Sequence, residues 1–200
     1  LTAFENFRAV LAESRGEYFV WAADDDHRNP EYVANLLARL EADPQAVLCF
    51  GDLAVFSGEI ADSRVVPLDF ENAGRSVVAR LARSAFQPCY HIYGVWRAAP
   101  LKEIDVVDCW YWPDMQIVMA AACMGDFVRA EDATFHYFDA GKSLRDSELR
   151  QTGRAGGSWL FPLQVITSSF HSVRHARGLG LALVAGVFLS LREIRNLSWY

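Results

Sequence analysis

No apolar run in this 200-residue sequence reaches the ~18–20 residues that a membrane-spanning helix needs. The longest candidate, Leu179 to Leu191, is too short to span. Cysteine is sparse. Cys49, Cys89, Cys109 and Cys123 stand far apart, with no CxxC or Cys/His pattern. That spacing excludes a zinc centre and a disulfide framework, and reduced, mostly buried thiols are expected. The spacing GxxxxGK[ST] is missing, which excludes a P-loop. Internal repeats and low-complexity segments are lacking too. A surplus of positive charge is also absent: the net charge of −6 argues against general nucleic-acid binding. Nor does the chain begin with methionine. It begins with Leu1, inside an expected helix, and reads as a piece of something longer.

What is present is enough apolar material for one domain with a real core: 52% of residues are hydrophobic. Charge is unevenly spread. Residues 1–140 carry 11 Lys+Arg against 22 Asp+Glu, whereas residues 141–200 carry 8 against 3. The C-terminal stretch is therefore a basic surface joined to an acidic body.

The most informative stretch is Trp21-Ala22-Ala23-Asp24-Asp25-Asp26-His27-Arg28-Asn29-Pro30. The residues before it, 17–22, are apolar, aromatic and β-branched, which predicts a buried strand. After it, Asn29 and Pro30 offer a helix cap and a first helical position ahead of Val33, Leu36, Leu37 and Leu40. A strand ending in clustered aspartates sets negative charge at the sheet's carboxyl edge, where open α/β sheets bind ligands. Adjacent carboxylates repel, and oxygen-only ligands suit magnesium or manganese. Three solvated acids serving the dipole of the next helix are the plainer alternative.

Along the chain, helical spacing of Phe4, Phe7, Val10 and Leu11 predicts a helix before the strand. Ala46–Phe50 predicts a second buried strand ended by Gly51-Asp52, and 53–56 with 60–66 a hairpin. Ser76 caps an expected helix to about residue 85. Tyr90–Arg97 reads as a strand, and its His91 as packed more readily than as a ligand. A helix opens at Pro113-Asp114 and stops at Gly125. Two strands, 126–130 and 133–138, follow. Residues 146–158 read as a linker, and 159–200 as a helical tail of two helices. Arg174, Arg177, Arg192 and Arg195 bracket the tail's apolar run, so the pair suits an anionic membrane surface or a partner. Packing of the same face on the domain is the rival account.

Other residues carry possible chemistry. Asp114 lies near a helix N-terminus, where its anion is favoured. Trp110 and Trp112 stand just before it in sequence, and aromatic faces are platforms for sugar rings; plain capping by Asp114 and core packing of the aromatics are the alternatives. A carboxylate beside them can take a proton from a hydroxyl. His136 ends the last strand, where it can complete a metal site or touch a diphosphate. Lys142 and Arg145 sit in a Gly/Ser-containing loop able to contact phosphate or simply to remain solvated.

The pattern from Asn6 through Gly16-Glu17-Tyr18-Phe19-Val20-Trp21-Ala22-Ala23-Asp24-Asp25-Asp26 to Val33 resembles the middle of family 2 glycosyltransferases of the GT-A fold. Tyr93–Arg97 resembles the segment opening that family's acceptor half. Pro113-Asp114 falls where the family carries its catalytic carboxylate, with proline replacing the first acid of its usual pair. The resemblance covers roughly residues 1–145 and is most specific over 16–33.

It implies an α/β, GT-A-like (Rossmann-like) mixed sheet flanked by helices, with a C-terminal helical extension. Residues 1–145 would be a partial domain lacking the family's N-terminal nucleotide-binding strands. It implies inverting transfer of a sugar from a nucleotide-diphospho-sugar to an acceptor hydroxyl, saccharide or lipid-linked. Asp24, Asp25 and Asp26, with His136, would hold Mg²⁺ or Mn²⁺. Asp114 would be the general base, Trp110 and Trp112 would line the acceptor side, and Lys142 and Arg145 would meet the donor. A cytoplasmic protein, in peripheral contact with the inner membrane face, is the matching location. A non-catalytic module of the same fold, or another magnesium enzyme acting on phosphates, would use the same acidic turn.

Overall fold

The computed structural model of the chain describes residues 3–23, 25–66, 70–107, 113–139 and 161–197. In chain order these form α1 (Ala3–Glu13), β1 (Tyr18–Phe19), β2 (His27–Arg28), α2 (Tyr32–Glu41), β3 (Ala46–Phe56), β4 (Arg64–Val66) and α3 (Val77–Ala85). There follow β5 (Val95–Arg97), α4 (Ala98–Lys102), α5 (Pro113–Met124), β6 (Asp126–Phe138), α6 (Phe161–Arg177) and α7 (Leu179–Leu197). The fold is mixed α/β, a curled sheet flanked by helices.

The sheet runs β1-β5-β3-β6-β2, with β4 beside β3. Its two long strands, β3 and β6, pair in parallel from Ala46↔Asp126 to Phe56↔Phe138. The other edge of β3 is shared: Leu48 and Cys49 meet β5, whereas Leu53 to Val55 meet β4, both antiparallel. β3 is buried along nearly its whole length, as its apolar, β-branched composition requires of a strand covered on both faces.

Alternation along β3 splits the core in two. Leu48 and Phe50 face one side with Trp96 and Phe127, beneath α3, α5, α6 and α7. Cys49 and Leu53 face the other with Val95 and Val128, beneath α2. On α2, Tyr32, Leu36 and Leu40 recur every fourth residue and are almost wholly buried. Each leucine so buried stabilises the fold by about 1.5–3 kcal/mol. The two C-terminal helices join the first core directly: Val165, Val173, Ala182, Ala185 and Leu189 are fully buried in it. Gly178, at φ 88°, ends α6 in the left-handed conformation that glycine tolerates, and its N–H donates to the Arg174 carbonyl at 2.8 Å. No helix among the described residues is long and apolar enough to cross a membrane.

Several expectations hold. Ser76 Oγ accepts the Ala79 N–H at 3.3 Å, Gly125 follows the end of α5, and the hairpin expected of 53–56 with 60–66 forms in part, Leu53–Val55 pairing with Arg64–Val66 while Ile60–Asp62 make a 3₁₀ turn. Cys49, Cys89 and Cys123 are free and buried; Cys109 lies outside the described residues. Others are corrected. β3 does not stop at Gly51-Asp52 but continues through them. Residues 126–138 form one strand, whose seam is a register shift between Phe50↔Arg129 and Asp52↔Thr134. The exposed Glu131 and Asp132 occupy that shift. Glycine is required at 51 by close approach, since a Cβ there would lie 2.2 Å from the Ala133 carbonyl oxygen. Gly51→Ala is therefore expected to lower the unfolding free energy by roughly 2–3 kcal/mol, read from urea denaturation. Gly58→Ala, where a Cβ meets nothing within 4 Å, is the neutral control.

Candidate functional site

The strand expected over 17–22 is shorter than its composition suggests. Only Tyr18 and Phe19 pair, opposite Arg97 and Trp96. The partner strand β5 is three residues long and passes at once into α4, whose first N–H, from Ala98, donates to the Glu17 carbonyl at 2.8 Å. Trp21 stays buried without a ladder. Its ring lies 5.2 Å from Phe7, 4.6 Å from Phe19 and 6.0 Å from Trp96.

The acidic turn is instead held from the far end of the chain. His27 and Arg28 pair antiparallel with His136 and Phe135, which draws Asp25 and Asp26 to the carboxyl end of β6. Asp26 Oδ1 accepts the Phe138 N–H at 3.1 Å. Asn29 Oδ1 accepts the Thr134 N–H at 2.9 Å, so this residue pins β6 rather than capping α2, whose N-cap is Glu31. Arg28 donates to the Trp21 carbonyl at 2.9 Å and lies over the rings of Tyr32 and Phe135, at 5.8 and 5.2 Å. Burial raises the Asp26 carboxyl above its ordinary value, and Asp25 adds to the rise. The Phe138 N–H, Arg28 and His27 oppose it.

Asp114 opens α5, and its Oδ1 accepts the next N–H, from Met115, at 3.0 Å. Burial pushes its carboxyl up to about 6, against the pull of that N–H, of Arg192 and of the Cys89 thiol.

The charges of both acids act on tyrosines that sequence reasoning placed in a strand. Residues Tyr90–Tyr93 form a 3₁₀ turn, in which side chains three apart eclipse. Tyr90 and Tyr93 therefore share a face. Burial comes first in raising both hydroxyls, and after it the charges of Asp114 and Asp26 act on both. Asp139 also acts on Tyr90, and Asp25 on Tyr93. Tyr137, edge-on to Tyr90 at 4.9 Å, is pushed up to about 12 by burial, Tyr90 and the charges of Asp26, Asp139 and Asp25. The charge of the acidic turn thus reaches Tyr90, Tyr93 and Tyr137, and that of Asp114 reaches Tyr90 and Tyr93. At neutral pH those hydroxyls are protonated and can donate hydrogen bonds. The signal for them was the i, i+3 spacing of Tyr90 and Tyr93, legible only once the turn is known to be 3₁₀.

His136 pairs with His27 beside the acidic turn, but its ring is engaged by another residue. Its Nδ1 is 3.0 Å from Ser63 Oγ, and burial and His27 lower its pKa. No described contact joins it to Asp25 or Asp26. His91 is packed, as expected: it is 3% exposed, 4.0 Å from the Phe70 ring, and burial takes its pKa down to about 3. Asp24, Trp110, Trp112, Lys142 and Arg145 lie outside the described residues. An open groove of about 530 Å³ lies away from the acids, lined by Asn35, Arg39, Glu71 and Arg129 among others. Among the described residues no group of three His, Cys, Asp or Glu side chains is placed to hold a metal. Asp25 and Asp26 still offer hard oxygen donors, and magnesium commonly takes only one or two carboxylates beside substrate oxygens. Comparison with known proteins finds no matching family model, curated protein or solved structure.

Because folding raises the Asp114 pKa from 3.8 to about 6, the native state binds the proton more tightly than the unfolded chain. Its contribution is most favourable below pH about 4 and is lost as pH rises toward 6. Asp114→Asn is therefore expected to stabilise the fold by about 1–3 kcal/mol at pH 7 and by little at pH 4. Urea melts at the two pH values check this.

Proposed function

We propose that this chain is an inverting, divalent-metal-dependent glycosyltransferase acting on a nucleotide-diphospho-sugar donor and an acceptor hydroxyl. The observation that supports this reading best is that the charges of Asp26 and Asp114 both act on the hydroxyls of Tyr90 and Tyr93. Sugar transfer needs a carboxylate pair at the donor diphosphate and a separate base at the acceptor, around one cleft.

Asp25 and Asp26, with Asp24, would hold Mg²⁺ or Mn²⁺, which offsets charge on the departing diphosphate. Asp114 accepts the proton of the acceptor hydroxyl as that oxygen bonds to the anomeric carbon. The bond from that carbon to the diphosphate breaks, and its electron pair leaves with the nucleotide. A carboxyl titrating near pH 6 is mostly ionised at pH 7 yet is a stronger base than an ordinary aspartate. The hydroxyls of Tyr90 and Tyr93 are suited to orient the sugar. Trp110 and Trp112 would shape the acceptor side, and Lys142 and Arg145 would meet donor phosphate. The GT-A fold and a place on the cytoplasmic side of a membrane belong to the same proposal. A binding module without catalysis is the second reading, favoured by the lack of a three-ligand metal group among the described residues.

The test is release of nucleoside diphosphate from UDP- or GDP-sugars with Mn²⁺. Asp26→Ala and Asp114→Ala are each expected to reduce turnover at least about 100-fold. Wild-type kcat should rise with pH through about 6, the Asp114 value. Turnover that survives both substitutions overturns the assignment. Mn²⁺-dependent nucleotide-sugar binding without turnover favours the binding module.

A further inference from the structure

Leu179, Leu183, Val187, Leu191 and Ile194 are exposed on α7 by 56, 56, 58, 49 and 64%. Their spacing of four, four, four and three residues sets them on one face of the helix. The opposite face, with Ala182, Ala185, Leu189 and Arg192, is buried against α6 and α3. Between Arg177 and Arg195 every exposed residue is apolar or glycine. A surface helix normally turns its polar side to water, so α7 has a second apolar side that the described residues leave exposed.

The charge around this stripe has one sign. Arg174 and His175 are exposed at one end, beside Arg177, whose Nε donates to the Cys123 carbonyl at 3.1 Å, and Arg195, whose guanidinium lies 5.1 Å over the Phe86 ring, is exposed at the other. Glu193 is the sole carboxylate of α6 and α7 among the described residues and lies 3.8 Å from Arg192. The neighbouring Asp105 is taken by His171 at 2.9 Å. The stripe extends about 22 Å at the helical rise, short of the ~30 Å hydrocarbon core, and its helix is buried along the other side. It can only lie flat.

We propose that this face rests on an anionic lipid bilayer, with α7 parallel to the membrane plane. The five apolar side chains enter the acyl boundary, and the arginines at both ends meet lipid phosphate. Apolar area alone would fit a protein partner or a second copy. The cationic brackets and the missing free acids select phosphate headgroups. This inference deepens the membrane placement of the proposed function, but its observations do not involve the sugar-transfer site.

Flotation of the full chain with vesicles of phosphatidylcholine alone, or mixed with phosphatidylglycerol, tests it. Binding to the mixed vesicles is expected to be about tenfold tighter and to weaken with salt. The variant L183Q/V187Q/L191Q should keep its far-UV circular dichroism and lose flotation. Arg174→Gln, at an exposed position, should weaken binding about fivefold and carries the test if the triple variant misfolds. Equal recovery with both vesicles, or recovery with neither, overturns the proposal. So does a lipid-free dimer that the triple variant abolishes, which would assign the stripe to a second copy.

Discussion

The parallel pairing of β3 with β6 is the constraint on which the other elements depend. It joins residues about eighty positions apart and creates both faces of the sheet at once. Parallel strands must be buried on both sides, and the sequence supplies a cover for each. One face receives the single helix α2; the other receives α3, α5, α6 and α7. The approach is tight enough that residue 51 has no room for a side chain against Ala133. Polar side chains close the remaining seams. Asn72 exchanges hydrogen bonds with the backbone of Phe127, and Arg80 meets Asp126 at 2.7 Å.

Local signals were read well where local chemistry decides. The hydroxyl at Ser76, the spacing of Leu36 and Leu40, and the stop at Gly125 each act within a turn or two of helix. Reading failed where a partner distant in sequence decides. Gly51 looks like a terminator, yet it marks close approach to another strand. Asn29 looks like a cap, yet its amide oxygen serves Thr134, 105 residues away. The aromatic run before the aspartates has high strand propensity but only three residues of partner. Propensity without a neighbour does not extend a ladder.

The same distinction applies to the site. Asp25, Asp26 and Asp114 were evident from acidity beside apolar stretches. Tyr90, Tyr93 and Tyr137 were not, because charges that act on them come from segments distant in sequence. Arg192 links this region to the last helix: its charge acts on Asp114 from the buried side of the element whose other side is a bare apolar stripe. The inner residues of α6 and α7 complete the core, in line with the alternative that set the tail's apolar face against the domain.

The hold of Phe138 on Asp26 spans 112 residues, and this has a consequence for biogenesis. During vectorial synthesis the aspartate turn is made 112 residues before the Phe138 N–H that Asp26 accepts. That hydrogen bond therefore forms only after β6 has been delivered. A chain released prematurely would carry every carboxylate of the turn and lack the scaffold that orients them.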